Sequence, residues 1–239
     1  MYFKDINHYG DRGLIIDFGI ESSKDVSQEI NAAIIYLKDL KLPTLNTIPS
    51  YNKIVLYFEN TEEKQKSIKT LEIKMKDFRP LDIKIPYKRW NIPACYDSQY
   101  ALDFERIQKL HDLSNQEIIN LHTKKIYYNY YIGFMPGFPY LGEIPSKLIT
   151  PRLSSPRLQI PARSVGIAKE HTCIYPKISP GGWNIIAQVP FDIFSLDHSR
   201  TSLFLPGDEV EFSAVTQGEF EKIQKKNFLF DEIIKEFSQ

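Results

Sequence analysis

Apolar positions in the first ninety residues alternate between a strand period and a helix period. Leu14 to Phe18 is a short apolar run suited to a buried strand, and Asp25-Val26-Ser27-Gln28 opens a helix in capping-box fashion. Val26, Ile30, Ala33, Ile34, Leu37 and Leu40 then recur at three- and four-residue spacing, which gathers them on one helix face. A second strand is predicted over Leu45 to Ile48, and Pro49-Ser50-Tyr51-Asn52 turns the chain into a third over Ile54 to Phe58. Asn60, with Glu63 three residues on, caps a helix carrying Ile68, Leu71 and Met75. Leu81, Ile83, Ile85 and Tyr87 alternate as a last strand. The resulting order βαββαβ is that of a ferredoxin-like, split βαβ domain over residues 1–90.

The pattern changes at Trp90. Asn91-Ile92-Pro93 reads as punctuation, and a helical hairpin follows, marked by Phe104, Ile107 and Leu110 and then by Ser114-Asn115-Gln116-Glu117 capping Ile118, Ile119 and Leu121. Beyond Tyr127, short β-rich runs sit between proline and glycine turns: Tyr127 to Phe134, Gln159 to Ile160, Ser164 to Ala168, Thr172 to Tyr175, Asn184 to Val189 and Glu209 to Phe212. Strands spaced this way predict a closed barrel or a sandwich over residues 91–239. Gly218 to Phe237 is amphipathic and predicts a helical arm packed back on it. The fold class expected is α+β.

Composition narrows the function classes. The 239 residues carry 30 basic and 30 acidic side chains, a balance that speaks against nucleic acid or an anionic membrane as partner. Cys95 and Cys173 stand in no metal-like spacing and read as two reduced thiols. The start Met1-Tyr2-Phe3-Lys4-Asp5 lacks a signal-peptide apolar run, and no stretch reaches membrane-spanning length, so the expected location is the cytoplasm. His8, His111, His122, His171 and His198 form no zinc pair. Phosphate loop, nucleophile elbow and dinucleotide fingerprint are all missing. Such a chain is a binding module or one part of a larger enzyme.

Candidate chemistry concentrates where glycine, proline and aromatic residues crowd. Residues 132–142 read Ile-Gly-Phe-Met-Pro-Gly-Phe-Pro-Tyr-Leu-Gly, and Ser179-Pro180-Gly181-Gly182-Trp183 follows downstream. Such segments build loops of fixed shape with rigid ring walls. Between them, Arg152 and Arg157 each follow a proline, and a guanidinium so placed can grip a carboxylate or phosphate with two parallel hydrogen bonds; the alternative is a pair of surface salt bridges. Tyr140, Tyr175 and Trp183 can line a pocket or fill a core. His122 ends the second helix of the hairpin, as an acid/base candidate or as a cap on the helix carboxy terminus. Asp192, Asp197 and Asp208 read as solvated turn residues.

At Gly133-Phe134-x-Pro136-Gly137-Phe138-Pro139-Tyr140-Leu141 the chain resembles the PxpB/KipI family, also described as allophanate hydrolase subunit 1. The likeness continues through Pro151-Arg152, Pro156-Arg157, Pro161-Ala162, Ser164 to Ala168, Ile174-Tyr175-Pro176 and Ser179 to Trp183, and upstream through Gly10-Asp11, Ile48 to Tyr51, Ile92 to Tyr96 and Leu121-His122-Thr123. The resemblance implies a small α/β domain followed by a cyclophilin-like β-barrel. It also implies work with PxpA- and PxpC-like partners as an ATP-dependent 5-oxoprolinase that opens 5-oxo-L-proline to L-glutamate, with ATP bound at the level of the complex. Other members imply inhibition of a sporulation histidine kinase, or a carboxyltransferase-related role beside a biotin-dependent urea carboxylase. Carried onto this sequence, the expected ligand-binding set is Pro136, Gly137, Phe138, Pro139, Tyr140, Arg152, Arg157, Ser164, Tyr175, Gly181, Gly182 and Trp183, with His122 as the acid/base. Two departures stand out: Arg163 and Lys169-Glu170-His171 occupy positions where the family commonly has glycine or small residues.

Overall fold

In the computed structural model, which describes residues 2–20 and 23–239, strand β1 (Asp5–Tyr9) forms a hairpin with β2 (Gly13–Asp17). Helix α1 (Lys24–Asp39) follows, capped by Ser23, whose hydroxyl accepts the Val26 N–H at 3.2 Å; the cap lies ahead of the Asp25 expected to open it. Strands β3 (Thr44–Pro49) and β4 (Lys53–Phe58) form a second hairpin, and α2 (Thr61–Lys74) is capped by Asn60 through the Glu63 N–H at 2.9 Å. The antiparallel sheet runs β1-β2-β4-β3, so β2 and β3, joined by α1, flank β4. Leu14, Ile16, Ile54, Leu56 and Phe58 pack with Ile30, Ala33, Leu37 and Leu71 in one core.

The order of this unit, Met1–Pro86, is ββαββα and not the βαββαβ expected. Residues 80–82 form a 3₁₀ turn started by Pro80, and Ile83 and Ile85 pack on the core without joining a ladder. Alternation reports which side is buried, not whether a strand pairs. The strand beside β2 is instead β1, whose polar edge sequence Asp5-Ile6-Asn7-His8 carries no apolar period.

The second unit, Tyr87–Gln239, is built on a closed seven-stranded barrel. Its strands are β5 (Arg89–Cys95), β6 (Tyr127–Ile132), β7 (Pro139–Gly142), β9 (Ser164–Ala168), β10 (His171–Ile174), β12 (Asn184–Gln188) and β13 (Glu209–Val215), in the order β10-β7-β6-β13-β5-β12-β9. The β9–β10 hairpin closes the ring, and β5 runs parallel to β13. Strands β8 (Arg157–Ile160) and β11 (Ser179–Gly181) make a separate two-stranded ribbon. Helices α3 (Phe104–His111) and α4 (Asn115–Thr123) form the expected hairpin, with the Ser114/Glu117 capping box in place. The carboxy-terminal arm is two helices, α5 (Gln217–Lys225) and α6 (Phe230–Phe237), parted near Asn227, which takes a φ of 48°. Trp90, Ile92, Tyr127, Val165, Ile174 and Phe212 fill the barrel.

Asp208 corrects a reading. Far from being solvated, it is buried and accepts hydrogen bonds from the Lys88 and Leu205 N–H groups and from the Trp90 indole, at 2.8, 2.9 and 2.9 Å. It thereby ties the start of β5 to the turn before β13. Cys95 and Cys173 are buried free thiols. Among the described residues no helix is long and apolar enough to cross a membrane.

Candidate functional site

Side chains alternate across the barrel wall, so β7, β9, β10 and β12 present one set inward and another outward. Leu141, Ile167, Ile174 and Ile186 belong to the interior. Phe138, Ala168, Cys173, Tyr175, Trp183 and Ile185 form a separate cluster on the other face, with Met135 and Tyr140 at its edge and Ile160 from the ribbon against it. Two glycines permit this packing. A Cβ on Gly166 would lie 3.2 Å from the Trp183 Cβ, and one on Gly181 would lie 2.5 Å from the Tyr175 Oη and 2.7 Å from the Ile160 Cδ1.

The loop before β7 owes its shape to the Gly-Phe-Met-Pro-Gly segment. Phe134 and Gly137 take φ of 69° and 80°, the Gly133 N–H bonds the Phe138 carbonyl, and the Phe138 N–H bonds the Met135 carbonyl, each at 3.1 Å. Phe138 is thereby delivered among the rings of Tyr140, Tyr175 and Trp183, with centroid separations of 5.1, 5.1 and 5.7 Å and the last two edge-on. Tyr140 in turn stacks on Tyr131 at 4.4 Å. Pro139 pairs with Ile132 in the ladder, while Pro136 is exposed on the loop. Burial raises the Tyr140 and Tyr175 phenols and the Cys173 thiol above their ordinary pKa values, so the wall is electrically neutral at pH 7.

Arg152 brings charge to this wall. Its guanidinium lies 6.0 Å above the Trp183 ring, and no carboxylate pairs with it among the described residues. Its loop is pinned on both sides: the Asn184 amide donates to the Pro151 carbonyl at 3.0 Å, and the Leu153 N–H donates to the Gly182 carbonyl at 2.7 Å. Arg106 Nε donates to the Asn184 Oδ1 at 2.9 Å, which fixes the amide's orientation. Asn184 was invisible as a site residue in the sequence, although a polar residue opening the apolar run Ile185-Ile186-Ala187 is the one trace of it.

Arg157 and His122 are both engaged within the protein. Arg157 donates both arms of its guanidinium to Asp103, at 2.9 and 2.7 Å, and the buried Asp103 also accepts the Ile185 N–H at 2.6 Å. The fork that could grip a ligand is spent on holding the ribbon to β12. His122 is wholly buried in the barrel, and desolvation lowers its pKa to about 3. The Thr172 hydroxyl donates to the Gly166 carbonyl at 3.1 Å and so accepts from the His122 Nε2 at 3.0 Å; Nδ1 then accepts from the Tyr96 hydroxyl at 2.7 Å. Both nitrogens of the neutral imidazole are thus satisfied inside the protein. Ser164 is likewise buried, its carbonyl accepting the Tyr175 N–H at 2.8 Å.

The departures from glycine keep the glycine-like backbone. Arg163 and Lys169 take φ of 68° and 50°, the left-handed region that glycine occupies freely. The Arg163 side chain reaches the Pro190 carbonyl at 3.4 Å and Asp192 at 4.0 Å. His171, whose pKa burial lowers, stands beside the Tyr130 and Tyr140 rings. Among the described residues no group of three acidic, histidine or cysteine side chains could hold a metal ion. Phe138, Tyr175 and Trp183 are themselves buried core residues, so the surface open to a ligand is the exposed Arg152 guanidinium with the half-buried Tyr140 ring, an arrangement that suits a small anion.

Residues 4–204 match the carboxyltransferase domain, subdomain C and D. A 5-oxoprolinase subunit of Bacillus subtilis (strain 168) is 30% identical over 234 residues, covering 93% of this chain and 97% of its own. Its namesake from Haemophilus influenzae is 39% identical over 141 residues, 59% of this chain and 63% of its own. A crystal structure of TTHA0988 superposes with a TM-score of 0.75 at 29% identity over 85% of this chain, which spans only 40% of that longer chain. The urea amidolyase of K. lactis shares the fold alone, with a TM-score of 0.70 at 18% identity over 93% of this chain and 15% of its own.

Proposed function

The chain belongs to the carboxyltransferase subdomain C and D family, whose match covers residues 4–204, and from that premise we propose that it is the PxpB-type subunit of a 5-oxoprolinase. The observation that carries this reading is the near end-to-end match with the Bacillus subtilis 5-oxoprolinase subunit. In the reaction, one water adds across the lactam C–N bond of 5-oxo-L-proline to give L-glutamate, driven by the coupled hydrolysis of ATP to ADP and phosphate with a second water.

The site chemistry assigns this chain a limited share. Arg152 holds the substrate carboxylate, and the half-buried Tyr140, backed by the buried Phe138 and Trp183, flanks the five-membered ring. Fixing the ring in one orientation presents its amide carbonyl to groups from a partner. The wall's Cys173, Tyr140 and Tyr175 stay protonated, so none serves as nucleophile or base. On this reading the chain is inactive alone, with ATP handling and bond cleavage on PxpA- and PxpC-like subunits.

Purification together with those two subunits tests the reading. The complete set is expected to release glutamate from 5-oxoproline only with ATP, and omission of this chain is expected to abolish release. Glutamate release at equal rate without this chain, under conditions where the Bacillus complex depends on its own corresponding subunit, sinks the assignment.

A further inference from the structure

Away from the aromatic wall, a groove of about 320 Å³ runs between α4 and the Pro145–Lys147 segment. Its floor is the half-buried, aliphatic Leu113, Leu121 and Pro145, and Lys124, Lys125 and Lys147 stand exposed at its rim. We propose that this groove docks an acidic segment of a partner protein, seating its aliphatic side chains on the floor and its carboxylates on the lysines.

The charge asymmetry favours that occupant. None of the three lysines lies within salt-bridge distance of a carboxylate among the described residues, and Lys147 acts on Glu117 only at longer range. The carboxylate in the groove, Glu117, is committed to the Ser114 N–H and hydroxyl at 2.8 and 2.7 Å, as part of the α4 cap. Lys124 and Lys125 follow the last turn of α4, where the helix dipole already favours cations. Lys147 comes from a separate 3₁₀ turn and favours the Glu117 carboxylate across the groove, so the lining carries three lysines against one carboxylate. A floor without aromatic rings provides nothing for bases to stack on, and the chain's zero net charge provides no long-range pull on nucleic acid. The concave shape with an apolar floor fits side chains better than the flat surface of a bilayer.

Fluorescence anisotropy on the whole chain tests the assignment with a labelled Glu-Glu-Leu-Glu-Glu-Leu-Glu peptide. Saturable binding with a Kd below about 1 mM is expected. At least a tenfold weakening is expected when all glutamates become glutamine, when both leucines become serine, or when the protein carries Lys124→Glu, Lys125→Glu and Lys147→Glu together. These lysines are exposed, so the variant keeps its fold, which circular dichroism verifies. Methyl shifts in the peptide complex are expected at Leu113 and Leu121. The proposal is overturned by no saturable binding, by equal binding of the glutamine peptide, or by an unchanged affinity of the triple variant. Tighter lysine-dependent binding to phosphatidylserine vesicles or single-stranded DNA than to the peptide also overturns it. These outcomes are independent of 5-oxoprolinase activity.

Discussion

Arg157 and Arg152 both follow a proline, yet their removal is expected to act on different quantities. Arg157→Met strips the bidentate partner from Asp103, whose side chain is 5% exposed and retains only the Ile185 N–H. Breaking a fully buried pair destabilises by about 3–5 kcal/mol. The Arg157 side chain is 30% exposed, so water recovers part of that, and about 2–3 kcal/mol is the expected loss. For a unit of this size each kcal/mol moves Tm by about 2–4 °C, so Tm falls by roughly 5–10 °C. Urea unfolding is expected to show a lowered midpoint with an unchanged slope. Arg152→Met loses only a cation–π contact at an exposed site, about 0.5–1 kcal/mol. A double-mutant cycle of Arg157→Met with Asp103→Asn is expected to show strong coupling. Equal stability of Arg157→Met and wild type refutes the reasoning, because it requires Asp103 to be indifferent to the cation that pairs with it.

Three further outcomes follow from the same geometry. His122 has a folded pKa near 3 against an ordinary 6.5; the unfolded chain takes up the proton first. Stability is therefore fully present above pH 6.5 and is lost as pH falls from there, at up to about 1.4 kcal/mol per pH unit from this group. Its ring resonances in NMR are expected not to titrate between pH 7 and about 4.5, and an ordinary midpoint near the usual value would contradict the burial. Gly181→Ala forces a methyl against Tyr175 and Ile160 and is expected to destabilise by about 1–3 kcal/mol in thermal melts, a neutral result showing that the ribbon does not press on the wall. Arg163→Gly removes a left-handed non-glycine residue and is expected to alter stability by no more than about 1 kcal/mol with substrate affinity unchanged; a marked loss of affinity places Arg163 in the site.

Local pattern revealed the elements whose burial follows a period. Strands β9 and β12 carry dense apolar runs, α3 an apolar helical period and α4 a capping box, and were legible as such. Strand β1 was not, because an edge strand paired on one side only, with one face in water, has few positions that demand apolar residues. Strands β5, β7 and β11 hid inside Asn91-Ile92-Pro93, Pro139-Tyr140 and Ser179-Pro180-Gly181, where proline suggested turns. Pro93 pairs beside Ser213 within a parallel ladder, a tertiary placement that local rules disfavour. The crowding of rings around residues 133–140 and 179–183 was legible, since their glycines and prolines announce shaped loops. What separates Arg152 from Arg157 was not, because Asp103 lies 54 residues away from Arg157 in the chain. Nor could a helix-terminal position tell that His122 is sealed in the barrel.

The central proposal is that Arg152 on the aromatic wall is this subunit's grip on the substrate. Steady-state kinetics of the complete complex carrying Arg152→Met measures it directly, with 5-oxoproline and ATP varied in turn. Loss of a charge-assisted bond of about 1.5–3 kcal/mol is expected to raise the KM for 5-oxoproline by roughly 10–100-fold while the KM for ATP stays at its wild-type value. An unchanged KM for 5-oxoproline, or a rise confined to ATP, contradicts that role for Arg152.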